Sequence, residues 1–412
     1  MERVVITGMG VISPLGNDVG TFWSRLKEGQ SGISAIDSFD TSRHKTKIAG
    51  IVRDFDADAR FGRKEARRMD RFCQFALAAA EQARDDAGLQ LEQADRERIG
   101  VYVGSGIGGI QTLLEQDAIL RERGPERVSP LLVPMMISNM AAATISIAFG
   151  ACGPTMSPVT ACSIGNTAIG EAFRLIRAGG ADVVFAGGAE AAISDISLAS
   201  FGNATALSAR NDEPARASRP FDAGRDGFVM AEGSGILVLE SYAHAKGRNA
   251  RILAEVTGYG ASSDAYHVVA THPEGAGAYQ AMKAAIREAG LLPEDIDVIS
   301  AHATSTGLGD RSETLAIKRL FGEHAYRIPV TANKSMTGHM FGAAGGAEAI
   351  ALVKSLQEGI IPPTINQELP DPDCDLDTVP NVARKADIRI GISNSFGFGG
   401  HNAVIVLQAF EE

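Results

Sequence analysis

The chain has 412 residues, 45% hydrophobic and 22% charged, the balance of a soluble globular protein with a sizeable core. A net charge of −11 leaves no basic footprint of the kind that general nucleic-acid binding needs. The four cysteines, Cys73, Cys152, Cys162 and Cys374, form neither a C-x-x-C pair nor a zinc-ribbon spacing and read as reduced cytosolic thiols.

Strand-like runs alternate with helix-like ones, which predicts an α/β protein. Arg3–Thr7 reads as a buried strand at once, without the basic and apolar regions of a secretory signal, so a cytoplasmic location is expected. A helix is predicted over Lys64–Ala87 and a strand over Arg98–Val103. From Val128 to Gly170 there is no charge, yet Pro130, Pro134, Asn139, Gly150, Gly153, Pro154 and Pro158 cut the stretch into pieces. These are shorter than the roughly 20 apolar residues of a membrane helix. A deeply buried or subunit-covered region is preferred over a membrane span. Beyond it come a helix over Ile164–Ala178, a strand at Asp182–Ala186 and a helix over Gly277–Ala289. Strands at Asp297–Ala301 and Ile328–Thr331 and a helix over Gly338–Gln357 complete the pattern.

This order contains an internal echo. A turn at Cys162 leads to a helix, a strand, and the strand–glycine–strand unit Gly227–Glu240. Later, a turn holding Lys334 and His339 leads to a helix, and Ile390–Leu407 repeats the strand–glycine–strand pattern. Two similar halves are expected, 1–250 and 251–412, with reactive loops converging at their junction.

Cys162 closes Ser-Pro-Val-Thr-Ala-Cys, His302 sits in Ile-Ser-Ala-His-Ala-Thr-Ser-Thr, and Lys334 and His339 share Thr-Ala-Asn-Lys-Ser-Met-Thr-Gly-His. A thiol, two imidazoles and an amine are the parts of acyl-transfer chemistry. Cys162 precedes a helix whose free N–H groups and dipole would favour the thiolate, the nucleophilic form. By spacing alone it fits a buried, inert cysteine equally well. His302 ends a predicted strand, where α/β proteins place reactive groups, and His339 lies at the mouth of a Gly/Ala-rich helix. Either histidine alone reads as structural; a pair in matching loops reads as catalytic. Cys162, His302 and His339 are suitable zinc ligands by type, but they are far apart in sequence and Lys334 would oppose a dication. No metal and no cofactor are expected.

Gly104-Ser-Gly-Ile-Gly-Gly109 fits G-x-G-x-x-G after a strand. A dinucleotide site would also need an acid ending a second strand, and Glu122 and Glu126 lie instead in the charged run Arg121–Arg127. Close backbone packing beside a pocket is the preferred reading. Phe396-Gly-Phe-Gly-Gly400 is either a hairpin with a packed ring or a mobile loop that presents an N–H to an oxyanion and swings Phe398 as a gate. Lys64, Arg67, Arg68 and Arg71 fall at helical spacing, as a solvated face or as a dock for an acidic partner.

Val159-Thr-Ala-Cys162, Ala301-His-Ala-Thr-Ser-Thr306, Lys334-Ser-Met-Thr-Gly-His339 and Asn394-Ser-Phe-Gly-Phe-Gly-Gly400 resemble the motifs of β-ketoacyl-acyl carrier protein synthases, of the elongating Cys-His-His, synthase II-like type. Supporting segments run the whole length, including Arg67-Arg-Met-Asp-Arg-Phe72, Ala217-Ser-Arg-Pro-Phe221 and Ser263-Asp-Ala-Tyr-His267. The resemblance implies a thiolase-like α/β fold of two pseudo-repeated halves in five αβαβα layers, acting as a homodimer. It implies that Cys162 carries an acyl chain and that His302 and His339 stabilise the enolate from malonyl-acyl carrier protein. Lys334 would keep His339 neutral, with Glu348 as its buried counter-charge. The N–H groups of Cys162 and Phe398 would hold the tetrahedral oxyanion. Thr304 and Thr306 would bind pantetheine, with Phe396 beside the substrate, and Ile107 and Phe201 would line the acyl tunnel. Lys64, Arg67 and Arg68 would dock the carrier protein. Departures from the family pattern are Ala303 after His302, where the added methyl would narrow the pantetheine approach, Ala332-Asn333 before Lys334, and Thr205 at a docking position that is basic in some members. A thiolase is disfavoured because Phe396 and Phe398 occupy the C-terminal glycine loop, where thiolases carry a second cysteine. A stand-alone polyketide ketosynthase shares the chemistry, and a non-catalytic chain-length partner would lack Cys162.

Overall fold

The computed structural model describes residues 2–412. A ten-stranded sheet runs through the molecule. Its order is Val330–Thr331, Val298–Ser300, Ile390–Gly397, His401–Gln408, Ala254–Ser263, Val4–Ile12, Gly233–Ser241, Val183–Glu190, Ile99–Gly104, Thr155–Met156. At its middle, Val4–Ile6 pairs antiparallel with Ala254–Val256. Outward from that seam both sides repeat one pattern. On the first, Val4–Ile12 and Val183–Glu190 flank Gly233–Ser241 antiparallel, and Ile99–Gly104 and Thr155–Met156 follow in parallel. On the second, Ala254–Ser263 and Ile390–Gly397 flank His401–Gln408 antiparallel, and Val298–Ser300 and Val330–Thr331 follow in parallel.

The strands are apolar on both faces because helices cover both. All nine residues of Val4–Ile12 are buried, the pattern of a sheet sandwiched between helical layers. Helices Ile164–Arg177 and Ala344–Glu358 form the middle layer, touching strands of both sides and each other. They cross backbone to backbone: a Cβ on Gly165 would lie 2.4 Å from the Gly346 nitrogen. Arg71–Asp86 and Met140–Phe149 cover the outside of the first half, and Ala276–Glu288 and Gly307–Phe321 that of the second. The result is a five-layer αβαβα sandwich. Burying Ile164, Ile169, Phe173 and Ile176 from one middle helix contributes about 1.5–3 kcal/mol per side chain.

Two sequence expectations need correction, and a third is narrowed to its subunit-covered alternative. The helix expected over Lys64–Ala87 is broken. Short helices Ala57–Phe61 and Arg63–Ala66 end in a turn, and Arg71–Asp86 starts anew behind Asp70. The Asp70 carboxylate accepts from the Phe72 N–H, a side-chain cap that competes with helical continuation. Arg71 therefore leaves the basic stripe and turns inward to Glu232 at 2.8 Å. The helix expected over Gly338–Gln357 begins only at Ala344, because Phe341 in the preceding turn has a φ of 46°. The uncharged stretch forms short helices Leu132–Met136 and Met140–Phe149, and it is not buried throughout the single chain. Val133, Ile147 and Val159 are 56%, 77% and 56% exposed. Among the described residues no helix is long and apolar enough to cross a membrane.

Candidate active site

Cys162 sits in a 3₁₀ turn, Ala161–Ser163, that feeds the middle helix Ile164–Arg177. Ala161 has a φ of 54°, unusual for a residue with a Cβ and of the kind stored at functional turns. That twist sets the sulfur at the helix head, with Cys162 as a residue 7% exposed. The glycine loop of the second half closes over it, with the Phe398 N–H reaching the sulfur. Burial pushes the thiol up to about 12, while Lys334 and the Phe398 N–H pull it down and the Glu190 charge adds to the rise. Burial outweighs Lys334 and the Phe398 N–H, so the direction is toward the thiol and not toward the thiolate. That corrects the expectation from the helix terminus.

His302 follows the strand Val298–Ser300. Its N–H and that of Ala303 donate to the two oxygens of Glu313 at 2.9 and 2.8 Å, and the Asn394 amide donates to the same carboxylate at 2.9 Å. His339 is fixed by its N–H donating to Val229 at 2.7 Å and its carbonyl accepting from Ala231 at 2.8 Å. The two rings stand 5.6 Å apart at 85°. Both imidazoles titrate well below the ordinary value of 6.5, chiefly through burial and secondly through Lys334, with His339 adding to the effect at His302. The sequence reading credited Lys334 alone. Each Nδ1 is buried without a partner among the described residues. An orphaned lone pair costs less than an orphaned N–H, which puts the proton on Nε2, the nitrogen left toward the cavity. Lys334 is buried and pairs with Glu348 at 2.5 Å, as expected from the sequence. Burial raises Glu348 to about 7 against the pull of Lys334.

Cys162, His302, His339, Thr304, Thr306, Phe396 and Phe398 all line one cavity of about 180 Å³. Phe228 and Phe341 supply apolar wall, and Val269, Ala270 and Leu308 line it as well. The Thr304 and Thr306 hydroxyls lie 3.2 Å apart. Their loop bends at Ser305, whose φ is 72°, and is held from behind. Asp310 accepts from the Ser305 N–H at 3.1 Å, and Arg225 donates to the carbonyls of Thr306 and Gly307 at 3.1 and 3.0 Å.

The structure does not bring every expected residue to this wall. Phe201 lies behind it, stacked on Phe341 at 5.4 Å and 6.2 Å from Phe398. Ile107 sits in the glycine turn, its N–H bonded to Glu190, and does not line the cavity. Ala303 is 1% exposed and packs into the core, so its methyl does not narrow the cavity as expected. Lys64, Arg67 and Arg68 are exposed on the broken-helix segment, away from the cavity wall, and Arg68 pairs with Glu65 at 3.2 Å. The glycine turn spends the Ser105 hydroxyl and the Gly106 and Ile107 N–H groups on Glu190, the Gly108 N–H on Ser105 and the Gly109 N–H on Met136, which leaves none of these donors for a pyrophosphate. Sequence reasoning missed Glu190, Glu313, Asp310 and Arg225. The signal for Glu190 was there, a lone carboxylate in a small-residue run, as Glu348 is, whereas Glu313 lies in the charged run Asp310-Arg-Ser-Glu313 and gave none.

The arrangement offers a nucleophile, two neutral N–H donors facing it and a further backbone donor at the sulfur. It can bind two thioester carbonyls in turn. Sequence comparison agrees with this geometry. Residues 1–245 match the β-ketoacyl synthase N-terminal domain and residues 253–368 the C-terminal domain. The chain is 50% identical, over all of its own length and 99% of the relative's, to a protein of Synechocystis sp. named 3-oxoacyl-[acyl-carrier-protein] synthase 2. It is 49% identical, with the same coverage, to the protein of that name in Staphylococcus aureus. Among solved structures, a β-ketoacyl synthase from Burkholderia phymatum superposes with a TM-score of 0.92 at 35% identity, covering all of both chains. A type II polyketide ketosynthase, solved with its acyl-carrier protein and bound to the hexaketide, also reaches 0.92 at 36% identity, covering 99% of this chain and all of that one. The chain belongs to the β-ketoacyl synthase family.

Proposed function

We propose that the protein is an elongating 3-oxoacyl-acyl carrier protein synthase of fatty-acid synthesis. The observation that carries this reading is the convergence of Cys162, His302 and His339 on one cavity. The names of the relatives with half of their residues identical support the substrate class.

In the first step the Cys162 sulfur attacks the thioester carbonyl of an acyl-carrier protein. Its proton leaves with the carrier's pantetheine sulfur, and the acyl chain stays on Cys162. The N–H groups of Cys162 and Phe398 hold the tetrahedral oxyanion. Malonyl-acyl carrier protein then binds, its pantetheine arm against Thr304 and Thr306 and its thioester beside Phe396. The bond to the carboxylate breaks, carbon dioxide leaves, and the electron pair forms an enolate. Its oxygen sits between His302 and His339, each donor contributing roughly 3–4 kcal/mol by analogy with oxyanion-hole deletions. The enolate carbon attacks the Cys162 thioester, the new carbon–carbon bond forms, and the Cys162 thiolate is expelled and reprotonated. Lys334 is no nucleophile here: its amine is held by Glu348 and its charge helps keep both imidazoles neutral.

The first half of the fold, 1–250, supplies the nucleophile and the second, 251–412, the histidines. Exposed Lys64, Arg67 and Arg68 dock the acidic carrier protein. The apolar surface at Val133, Ile147 and Val159 is the face of a homodimer, and the cytoplasm is the place of work. Cys162→Ala should form no acyl-enzyme and no condensation product; condensation by that variant would overturn the reading. The solved type II polyketide ketosynthase favours one other reading, a stand-alone polyketide enzyme, because it shares the fold at 36% identity. Competition among carrier-bound primers of graded length separates the two: preference for saturated chains supports fatty-acid elongation, and preference for polyketone primers the alternative. A non-catalytic chain-length partner is disfavoured by Cys162 itself.

A further inference from the structure

Glu190 ends the strand Val183–Glu190 as a fully buried carboxylate that none of the steps above uses. It accepts four hydrogen bonds. On Oε1 these come from the Ser105 hydroxyl at 2.7 Å and the Ile107 N–H at 3.1 Å. On Oε2 they come from the Gly106 N–H at 2.9 Å and the Gly342 N–H at 3.2 Å. Burial pushes this carboxyl up and the four bonds oppose the rise. Three of the partners are N–H groups that can only donate, which favours the ionised form.

Those partners belong to opposite halves of the fold. Ser105–Ile107 is the first half's glycine turn. Gly342 follows Phe341, whose φ of 46° is strained and whose ring packs 4.9 Å from His339 and 5.4 Å from Phe201. A Cβ on Gly106 or Gly342 would lie 3.0 Å from Glu190 Oε2, and in each case Ile164, two residues past Cys162, is also within 3.5 Å. The clamp therefore meets the site at the head of the nucleophile's helix and at the strained wall residue.

We propose that Glu190 is a positioning residue for the acyl-enzyme, clamping the Ser105–Ile107 turn to Gly342 so that Phe341 keeps its place in the wall beside the chain on Cys162. This rests on the acyl-enzyme reading above. The same charge opposes ionisation of Cys162, against Lys334, and the other titratable groups lining the cavity with the sulfur are His302, His339 and Asp264.

Glu190→Gln keeps the size, removes the charge and turns an NH₂ toward N–H donors. The variant should be alkylated by iodoacetamide at Cys162 about threefold faster at mildly alkaline pH, equivalent to a profile moved about half a unit lower. Its ratio of long-chain to short-chain acyl loading should change about fivefold, the scale of a small reshaping of an apolar pocket. Ser105→Ala removes the hydroxyl's bond to Glu190 and the one it accepts from the Gly108 N–H, and no charge. It should move the loading ratio in the same direction by less and leave the alkylation profile in place. A folded Glu190→Gln protein with the parent's alkylation profile and loading ratio overturns the proposal. If that variant does not fold, an unchanged loading ratio in Ser105→Ala overturns it instead. Absence of acyl loading in the unsubstituted protein would overturn the acyl-enzyme reading itself, while the alkylation arm, which needs no substrate, still judges Glu190.

Discussion

The two halves of the molecule build the same turn and use it differently. In the first, Ala161 with a φ of 54° opens a 3₁₀ turn, Ala161–Ser163, before the helix Ile164–Arg177. In the second, Phe341 with a φ of 46° opens Phe341–Ala343 before Ala344–Glu358. The middle residue is Cys162 in one and Gly342 in the other. The scaffold repeats, but the chemistry falls on one side of the seam. The first half brings a thiol, and the second brings both imidazoles, the buried amine, the threonine loop and the glycine loop that covers the sulfur. A repeated frame thus presents a thiol from one half and two imidazoles from the other, all lining one cavity, and the proposed function makes the first the loading group and the second the enolate donors.

The comparison predicts that disturbances of the first half act on loading as well as extension, and disturbances of the second half's two histidines chiefly on extension. The largest of the two effects concerns the exposed basic segment of the first half. Reversing charge at Lys64, Arg67 and Arg68 together should weaken carrier binding about tenfold at low ionic strength and less at high salt, since exposed charges are screened. Binding titrations at two salt concentrations check this, and equal affinity to the parent would remove these residues from the dock. The smaller effect lies in the second half and is an absence of change. Both imidazoles titrate well below 6.5, so they stay neutral as the pH falls through that value. Malonyl decarboxylation should therefore hold steady across the ordinary histidine range and decline only at lower pH, where the depressed groups finally protonate. A pH–rate profile that halves near 6.5 would mean the rings are not shielded as described.

The repeat was legible because strand–glycine–strand units and reactive turns recur in sequence order. Cys162, His302, His339 and the Lys334–Glu348 pair were legible because reactive or charged groups stood alone among small apolar residues. What escaped was carried by donors brought from far away. Glu190 meets residues 84 and 152 positions distant, and Glu313 meets Asn394, 81 positions on. No local spacing encodes such contacts. The broken helix before Arg71 escaped for a different reason: an amphipathic pattern ran across Asp70, and the cap overrode it. Ile107, expected in the acyl tunnel by resemblance, lies in the glycine turn outside the cavity that gathers the reactive groups, and nothing local in the sequence says which cavity a turn residue faces.

The central claim is that two neutral imidazoles of one half complete a site around the thiol of the other. Carbon dioxide release from malonyl-acyl carrier protein, compared between Cys162→Gln and the double variant Cys162→Gln with His302→Ala, tests it most directly. The account predicts that the single variant still decarboxylates and that the second substitution cuts the rate about 100- to 1,000-fold, the scale of one lost oxyanion donor. Equal rates in the two proteins would contradict it.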